Sequence, residues 1–323
     1  MLIALEEHYA WDPVSADSPV GSWIHGRNAG TYQRLCDLGA GRLEQMDAAG
    51  IDFQVLSLFD PGVQAEADIR RATDNARRAN DELATAIARN PRRLGGFAAL
   101  AIQDPDGAAA ELERAVTELG LLGGLINGHA HGRYLDDPAY EGLFHCAQRL
   151  GVPIYLHPTT PHPAVLEAWF DPYLKDGMHL ASWGFGVETG THALRLIYSG
   201  LFDRFPALQI ILGHLGELLP FAAWRIDRYY ALGGDGGGAL ARKPSDYLRT
   251  NFHVTTSGNF SGPALTCTLA VVGAERMMFA VDYPIDSNKA ATEFLAGYPM
   301  DDQSRQMISS GNALRLFDGR IPL

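Results

Sequence analysis

Leu2-Ile-Ala-Leu-Glu-Glu-His8 decides how the rest of the chain is read. It is a short apolar run that ends abruptly in two carboxylates and an imidazole. Further runs follow at residues 53–58, 94–100, 123–127, 153–156, 209–213, 252–257 and 277–281. Each is nearly continuous in apolar residues, as a parallel strand buried on both faces requires. With 2–5 they make eight candidate strands. Helical patterns lie between them. Residues 65–90 are rich in Ala, Arg and Glu and stop before Pro91. Asp104-Pro105-Asp106 and Asp137-Pro138 place an N-cap acid and an early proline before the next two helices, and Gly151-Val-Pro153 ends the second. Eight strands alternating with helices predict an α/β fold, a single (β/α)8 barrel over residues 1–323. A doubly wound open sheet is the rival, but no GxGxxG follows the first strand. The segments 11–31, 157–188 and 232–245 read as long irregular loops, more in keeping with function than with linkers.

Active sites of such barrels sit where the strands end. The first run ends in Glu6-Glu7-His8, the fifth in His157, the sixth in His214 and the eighth in Asp282. These are nitrogen and oxygen donors of the kind Zn²⁺ and Mn²⁺ accept. Side chains alternate along a strand, so Glu6 and His8 share a face and Glu7 takes the other. Glu6, His8, His157 and Asp282 are therefore the expected ligands of a divalent ion. The chain has only three lysines, Lys175, Lys243 and Lys289, none at the end of an apolar run. A carbamylated lysine bridging two metals is thereby disfavoured, and one ion is expected. His214 is open to three readings: a further ligand, a general base or a core histidine. A catalytic role with Glu217 holding its tautomer is favoured. Arg225 is either a fork for a carboxylate or an ordinary surface arginine. His129 and His131 follow the fourth strand and flank the mouth; they are either substrate contacts or solvated loop histidines, and the second reading is favoured. His192 reads as structural, at the start of a helix over 192–200. His145, His162, His179 and His253 read as ordinary core or surface residues.

Composition narrows the partners. The chain has 323 residues, 46% of them hydrophobic, and a net charge of −12. That charge argues against nucleic acid and anionic membranes. Cys36, Cys146 and Cys267 are odd in number and widely spaced. They fit a reducing compartment better than a disulfide framework, with Cys146 and Cys267 expected to be buried thiols. The first residues lack a basic start and a long apolar core, and no run reaches the length of a membrane span. A cytoplasmic protein is expected.

At these residues the chain resembles a known group. The segments Ala4-Leu-Glu-Glu-His8, Pro61-Gly-Val-Gln64, Gly96-Phe-Ala-Ala-Leu100, Tyr155-Leu-His-Pro158 and Trp183-Gly-Phe-Gly-Val-Glu-Thr189 carry the likeness. So do Ile211-Leu-Gly-His-Leu-Gly-Glu217, Trp224-Arg-Ile-Asp227, Thr255-Thr-Ser-Gly-Asn-Phe260 and Asp282-Tyr-Pro284. They resemble the amidohydrolase-related family that includes the gamma-resorcylate, 2,3-dihydroxybenzoate and aminocarboxymuconate semialdehyde decarboxylases, and the first two most. The resemblance implies a metal-dependent, non-oxidative and reversible decarboxylase of an ortho-hydroxybenzoate. It implies one divalent ion (Mn²⁺, Zn²⁺ or Mg²⁺), no organic cofactor, and a homodimer or homotetramer. Glu6, His8, His157 and Asp282 match the family's ligands, with Asp282 also the expected proton donor. His214 and Glu217 match its catalytic pair, and Arg225 a substrate-side arginine. Trp23, His25 and Phe59 are candidate pocket residues. The family often has Arg where Thr159 stands, and Asp-Trp-Pro where this chain has Asp282-Tyr283-Pro284. The alternative is a mononuclear metal hydrolase of a lactone or cyclic amide, in which the ion activates water.

Overall fold

The computed structural model describes residues 1–11, 14, 29–233 and 240–322. Its eight parallel strands follow one another in chain order: β1 (Ile3–Tyr9), β2 (Phe53–Leu58), β3 (Leu94–Gly96 continued by Ala98–Ala99), β4 (Gly124–Asn127), β5 (Ile154–His157), β6 (Ile210–Leu212), β7 (Phe252–Thr255) and β8 (Met277–Met278). The ladder is interrupted only at Phe97, whose N–H reaches back to the Leu56 carbonyl at 2.9 Å while Ala98 N–H turns to Gly123. The last strand returns to the first. His8 N–H donates to Tyr283 O at 2.7 Å and Asp282 N–H to Glu6 O at 2.9 Å, so the sheet closes into a barrel.

Side chains sort by strand parity into two cores. Ile3, Leu5, Phe53, Val55, Phe97, Leu125, Tyr155, Ile211, Met278 and Ala280 fill the barrel. Their neighbours Ala4, Leu56, Ile126, Leu156, Leu212 and Val254 face outward against the helices. Each large apolar side chain removed from water this way stabilises the fold by roughly 1.5–3 kcal/mol. Phe317 and Ile321, near the chain's end, pack on the same interior cluster and close the bottom of the barrel.

β1 departs from simple alternation. Ala4 pairs with Gln54 but Glu7 with Leu56, so three steps on β1 face two on β2. This is a bulge, and it shifts the side-chain phase by one residue. Without it, the inward phase of Ile3 and Leu5 would bring Glu7 into the barrel and send Glu6 and His8 out. With it, Glu6 and His8 face the mouth together. Glu7 lies behind them, fully buried, accepting from Val281 N–H at 3.0 Å and Tyr283 N–H at 3.2 Å. Those two amides flank Asp282, so Glu7 fixes the backbone on either side of it.

Other expectations need adjusting. β1 runs on to Tyr9 rather than stopping at residue 5. The segment 157–188 is not an irregular loop throughout, because short helical turns cross it and the helix Gly184–Tyr198 begins inside it. His192 therefore sits mid-helix, where its Nε2 accepts from Leu135 N–H at 2.9 Å. Asp104 and Asp137 cap their helices as expected, accepting from Gly107 and Ala139 N–H. Cys146 is buried, Cys267 only half-buried and Cys36 exposed. No described helix is long and apolar enough to cross a membrane.

Replacing Glu7 by Ala strands two buried amides and is expected to cost roughly 2–4 kcal/mol, on the usual penalty for unsatisfied buried donors. Chemical denaturation of the purified variant measures this. Stability equal to that of the parent would mean that Glu7 does not tie β1 to the Asp282 segment.

Candidate metal centre

Glu6, His8, His157 and Asp282 each offer a donor atom at the barrel mouth, and the four atoms lie within 4.8 Å of one another. His8 Nε2 is 3.1 Å from Asp282 Oδ1, and His157 Nε2 is 3.4 Å from Glu6 Oε1. The far sides of Glu6, His8 and His157 are anchored. His157 Nδ1 donates to Pro158 O at 2.9 Å, which leaves the Nε2 lone pair free. His8 Nδ1 meets Ser57 Oγ at 3.1 Å. Glu6 Oε2 accepts from Tyr155 and Ser257 hydroxyls and from Thr255 Oγ1 at 3.3 Å. Its other oxygen, Oε1, is buried with no hydrogen-bond partner, and so is His8 Nε2. Two buried, unpartnered atoms facing one another, with the distal atoms of Glu6, His8 and His157 tied down, fit a divalent cation. Gly213 makes room for Glu6, since a Cβ there would come within 2.7 Å of Oε2.

His214 and Glu217 come from an unusual turn after β6. His214, Leu215, Gly216, Glu217 and Leu218 all have positive φ, between 50° and 87°. For residues with a side chain this costs about 1–2 kcal/mol each, so the turn persists only because its surroundings hold it. Leu215 N–H donates to Thr255 O, and Gly190 leaves space for the Glu217 carbonyl, which would sit 2.6 Å from a Cβ. The result is a short contact, 2.6 Å, between His214 Nδ1 and Glu217 Oε1. His214 Nε2 then lies 3.6 Å from both Glu6 Oε1 and Asp282 Oδ2. Gly258 passes close behind it; its φ is +58°, and a Cβ would be 2.8 Å from the His214 ring. Asp282 itself is left-handed, at φ 76°.

The electrostatics divide these residues by role. Burial drives His157 well below its ordinary pKa, with His8 adding to the effect, which suits it to meet a cation as a neutral imidazole. Burial also raises Glu6, as expected of a carboxylate whose compensating cation is yet to be supplied. Burial opposes a charged His214, yet Glu217, Glu6 and Asp282 outweigh it and raise its pKa well above the normal range. Asp282 moves the other way. Burial pushes it up, but the neighbouring imidazoles of His214 and His8 prevail and hold it below the usual carboxylate range. The perturbation at Asp282 has the opposite sign to that of a stored acid, while His214 is shifted toward its charged form.

The remaining candidates scatter. Phe59 is buried with its ring 5.4 Å from that of His8, edge-on. Arg225 is exposed on the helix Leu219–Tyr230 and stacks over Tyr229 at 4.6 Å, so the chain does not bring it to its own metal centre. Trp23 and His25 lie outside the described residues. His129 and His131 line a cavity of about 390 Å³ beside the mouth, with Asn127 and Thr159. Sequence reasoning missed Ser57, Tyr155, Thr255 and Ser257, which orient the ligands, and the buried Asp60. Ser57, Thr255, Ser257 and Asp60 sit at or just past strand ends, where the rule that found the ligands also points; Tyr155 lies inside its strand, two residues before His157.

A closed parallel barrel whose mouth gathers two imidazoles and two carboxylates around one point is a metal-site barrel of the hydrolase type. The chain belongs to the amidohydrolase family, whose model matches residues 8–319. It is 42% identical to the gamma-resorcylate decarboxylase of a Polaromonas species, covering 98% of both chains. Among solved structures it is similar to a dihydroxybenzoic acid decarboxylase from Polaromonas with bound manganese and the inhibitor 2-nitroresorcinol. That match has 41% identity and a TM-score of 0.90, covering 98% of this chain and 96% of the other. The 5-carboxyvanillate decarboxylase of Sphingomonas paucimobilis matches with a TM-score of 0.91 at 40% identity, over 98% of each chain.

Gly213→Ala and Tyr155→Phe both disturb Glu6 without touching another ligand. Each is expected to weaken divalent-metal affinity by about 10–100-fold, the usual effect of losing a group that orients a ligand. Titration against a competing chelator reads this. Undiminished affinity in both variants would show that the placement of Glu6 is not what holds the ion.

Proposed function

We propose that this chain is a metal-dependent, non-oxidative decarboxylase of an ortho-hydroxybenzoate. The observation that carries the reading is the four-donor mouth with the His214–Glu217 pair set 3.6 Å from Asp282. The relatives named above carry decarboxylase activity in their names, and the shared residues span nearly the whole chain. Glu6, His8, His157 and Asp282 would hold one divalent ion. Manganese is the first to test, given the solved relative that contains it and the mixed nitrogen and oxygen donors; zinc and magnesium follow. When bound, the ion supplies Lewis acidity and a fixed point for orienting substrate oxygens.

The chemistry asked of the protein is proton placement. Losing CO₂ directly would leave a strongly basic aryl carbanion, so the ring carbon bearing the carboxylate is protonated first, as the ortho hydroxyl gives up its proton. His214 passes its proton to Asp282 Oδ2 across the 3.6 Å gap, Asp282 hands it to the ring carbon, and the imidazole then takes the proton of the ortho hydroxyl, which the product phenolate regains from solvent. Glu217 keeps His214 charged and oriented through Nδ1. The bond from ring to carboxylate then breaks, its electron pair restores the aromatic ring, and CO₂ leaves. The net exchange is one proton for one CO₂, and high bicarbonate drives it backward. An exposed apolar face on the helix Leu219–Tyr230, with Phe221 87% and Trp224 76% accessible, supports a homo-oligomer in which that face is covered.

Incubating the manganese-loaded protein with ortho-hydroxybenzoates is expected to release CO₂ and the matching phenol. Glu217→Gln should lower kcat by about 10²–10⁴-fold, the range of a lost acid–base contribution, with metal content unchanged. Hydrolysis of lactones or cyclic amides without CO₂ release from any ring acid would overturn the reading in favour of a hydrolase.

A further inference from the structure

The orphaned polar atoms of this protein are not spread at random. Beyond the metal cluster, several gather on the β2, β4 and β5 side of the mouth. Asp60, just past β2, is 3% exposed, and neither carboxyl oxygen has a hydrogen-bond partner. Asn127 Oδ1, at the end of β4, is likewise buried and unpaired. Its backbone is clamped at both ends by Gln64, which donates to Asn127 O at 3.3 Å and accepts from Asn127 N–H at 2.9 Å. The Asn127 backbone is thus fixed, while its side-chain Oδ1 is left unpaired. His129 Nδ1 accepts from Gly132 N–H at 3.2 Å, so Nε2 carries the ring hydrogen, and that atom too is buried without a partner. Its nearest carboxylate oxygen, Glu188 Oε1, is 3.9 Å away and equally unpaired.

Asn127, His129, Pro61 and Thr159 line the cavity of about 390 Å³. Asp60 does not itself line the cavity, but it lies in sequence between a residue at the metal cluster and one that does. Its neighbour Phe59 packs on His8, its neighbour Pro61 faces the cavity, and Thr159 lies two residues beyond the ligand His157. Burial pushes the Asp60 carboxyl up to about 7, with Thr159 and His8 pulling the other way. No lysine or arginine is among the described residues that line the cavity. Buried groups of this kind are costly unless something pairs with them.

We propose that Asp60, Asn127 and His129 form a second polar subsite that takes a hydroxyl substituent of the substrate ring and turns away a second carboxylate. A hydroxyl both donates and accepts. It can give its hydrogen to Asp60 or to Asn127 Oδ1 and receive one from His129 Nε2. A carboxylate brings a charge that no described cation in the cavity meets, next to an acid. The subsite thus separates the two substrate kinds named among the relatives, hydroxybenzoates with one carboxylate and those with two. It rests on the decarboxylase reading above.

The test compares kcat/KM for CO₂ release from 2-hydroxybenzoate, its 2,3-, 2,4-, 2,5- and 2,6-dihydroxy counterparts, and 4-hydroxyisophthalate, using the parent, Asp60→Asn and Asp60→Ala. Calorimetry with phenol, catechol, resorcinol and hydroquinone measures the same selectivity without turnover. At least one dihydroxy acid should exceed 2-hydroxybenzoate by about 10²-fold, as sites built to bond a hydroxyl discriminate against its loss. The dicarboxylate should fall below both. In the variants the ratio of dihydroxy to monohydroxy acid should collapse toward one, and the matching diphenol should lose its advantage over phenol. Equal rates for all monocarboxylates, preference for the dicarboxylate, or selectivity that survives in both variants would overturn the subsite. If no ring acid loses CO₂, the parent reading fails instead. The diphenol affinities then decide the subsite alone: selectivity lost in the variants supports it, and no selectivity refutes it.

Discussion

One extra residue in β1 sets the geometry on which everything else at the mouth depends. The barrel interior is filled by side chains of fixed parity, and Ile3 and Leu5 obey it. Strict continuation would have pointed Glu6 and His8 at the helices. The bulge between Ala4 and Glu7 reverses the phase, so two donors face inward and a third carboxylate is left behind the strand. That carboxylate, Glu7, binds the amides on either side of Asp282. The same irregularity therefore positions two ligands directly and a third through its backbone, and it does so where the first and last strands meet.

The mouth is costly for a protein that must fold before it works. Glu6 keeps a buried oxygen unpaired, His157 is held neutral, and four residues with side chains occupy left-handed backbone after β6. None of this helps stability. It is borne by the interior and outer apolar cores, which are packed at every strand. A cation between the donors relieves the largest of these costs, because it satisfies Glu6 Oε1 and His8 Nε2 together. His214 is shifted toward its charged form by Glu217 first, then by Glu6 and Asp282. Holding metal and moving protons thus share Glu6 and Asp282, with Glu217 added for the proton.

Much of the fold is legible in the sequence because buried parallel strands leave a simple trace. Eight apolar runs are enough to place the eight strands, and strand ends are enough to pick out Glu6, His8, His157 and Asp282. The shared face of Glu6 and His8 is legible for an incomplete reason: alternation is right for that pair, yet only the bulge turns it inward. What escapes is set by tertiary contacts. Trp183-Gly-Phe-Gly186 looks like loop by composition, but the glycines permit close packing and the helix starts at Gly184. Asp60-Pro61 reads as a turn, and nothing local says that its carboxyl is buried without a partner. Arg225 looks like a substrate fork by its segment, but its helix carries it to the surface.

The central claim is that Glu6, His8, His157 and Asp282 hold one divalent ion at this mouth. Anomalous diffraction from crystals of the manganese-loaded protein, collected at the manganese edge, tests it most directly. The account predicts one strong peak per chain, within about 2.0–2.3 Å of a donor atom of each of the four residues, a range typical of first-row ions with nitrogen and oxygen ligands. A peak elsewhere, two peaks at the mouth, or none in protein that still releases CO₂ would contradict it.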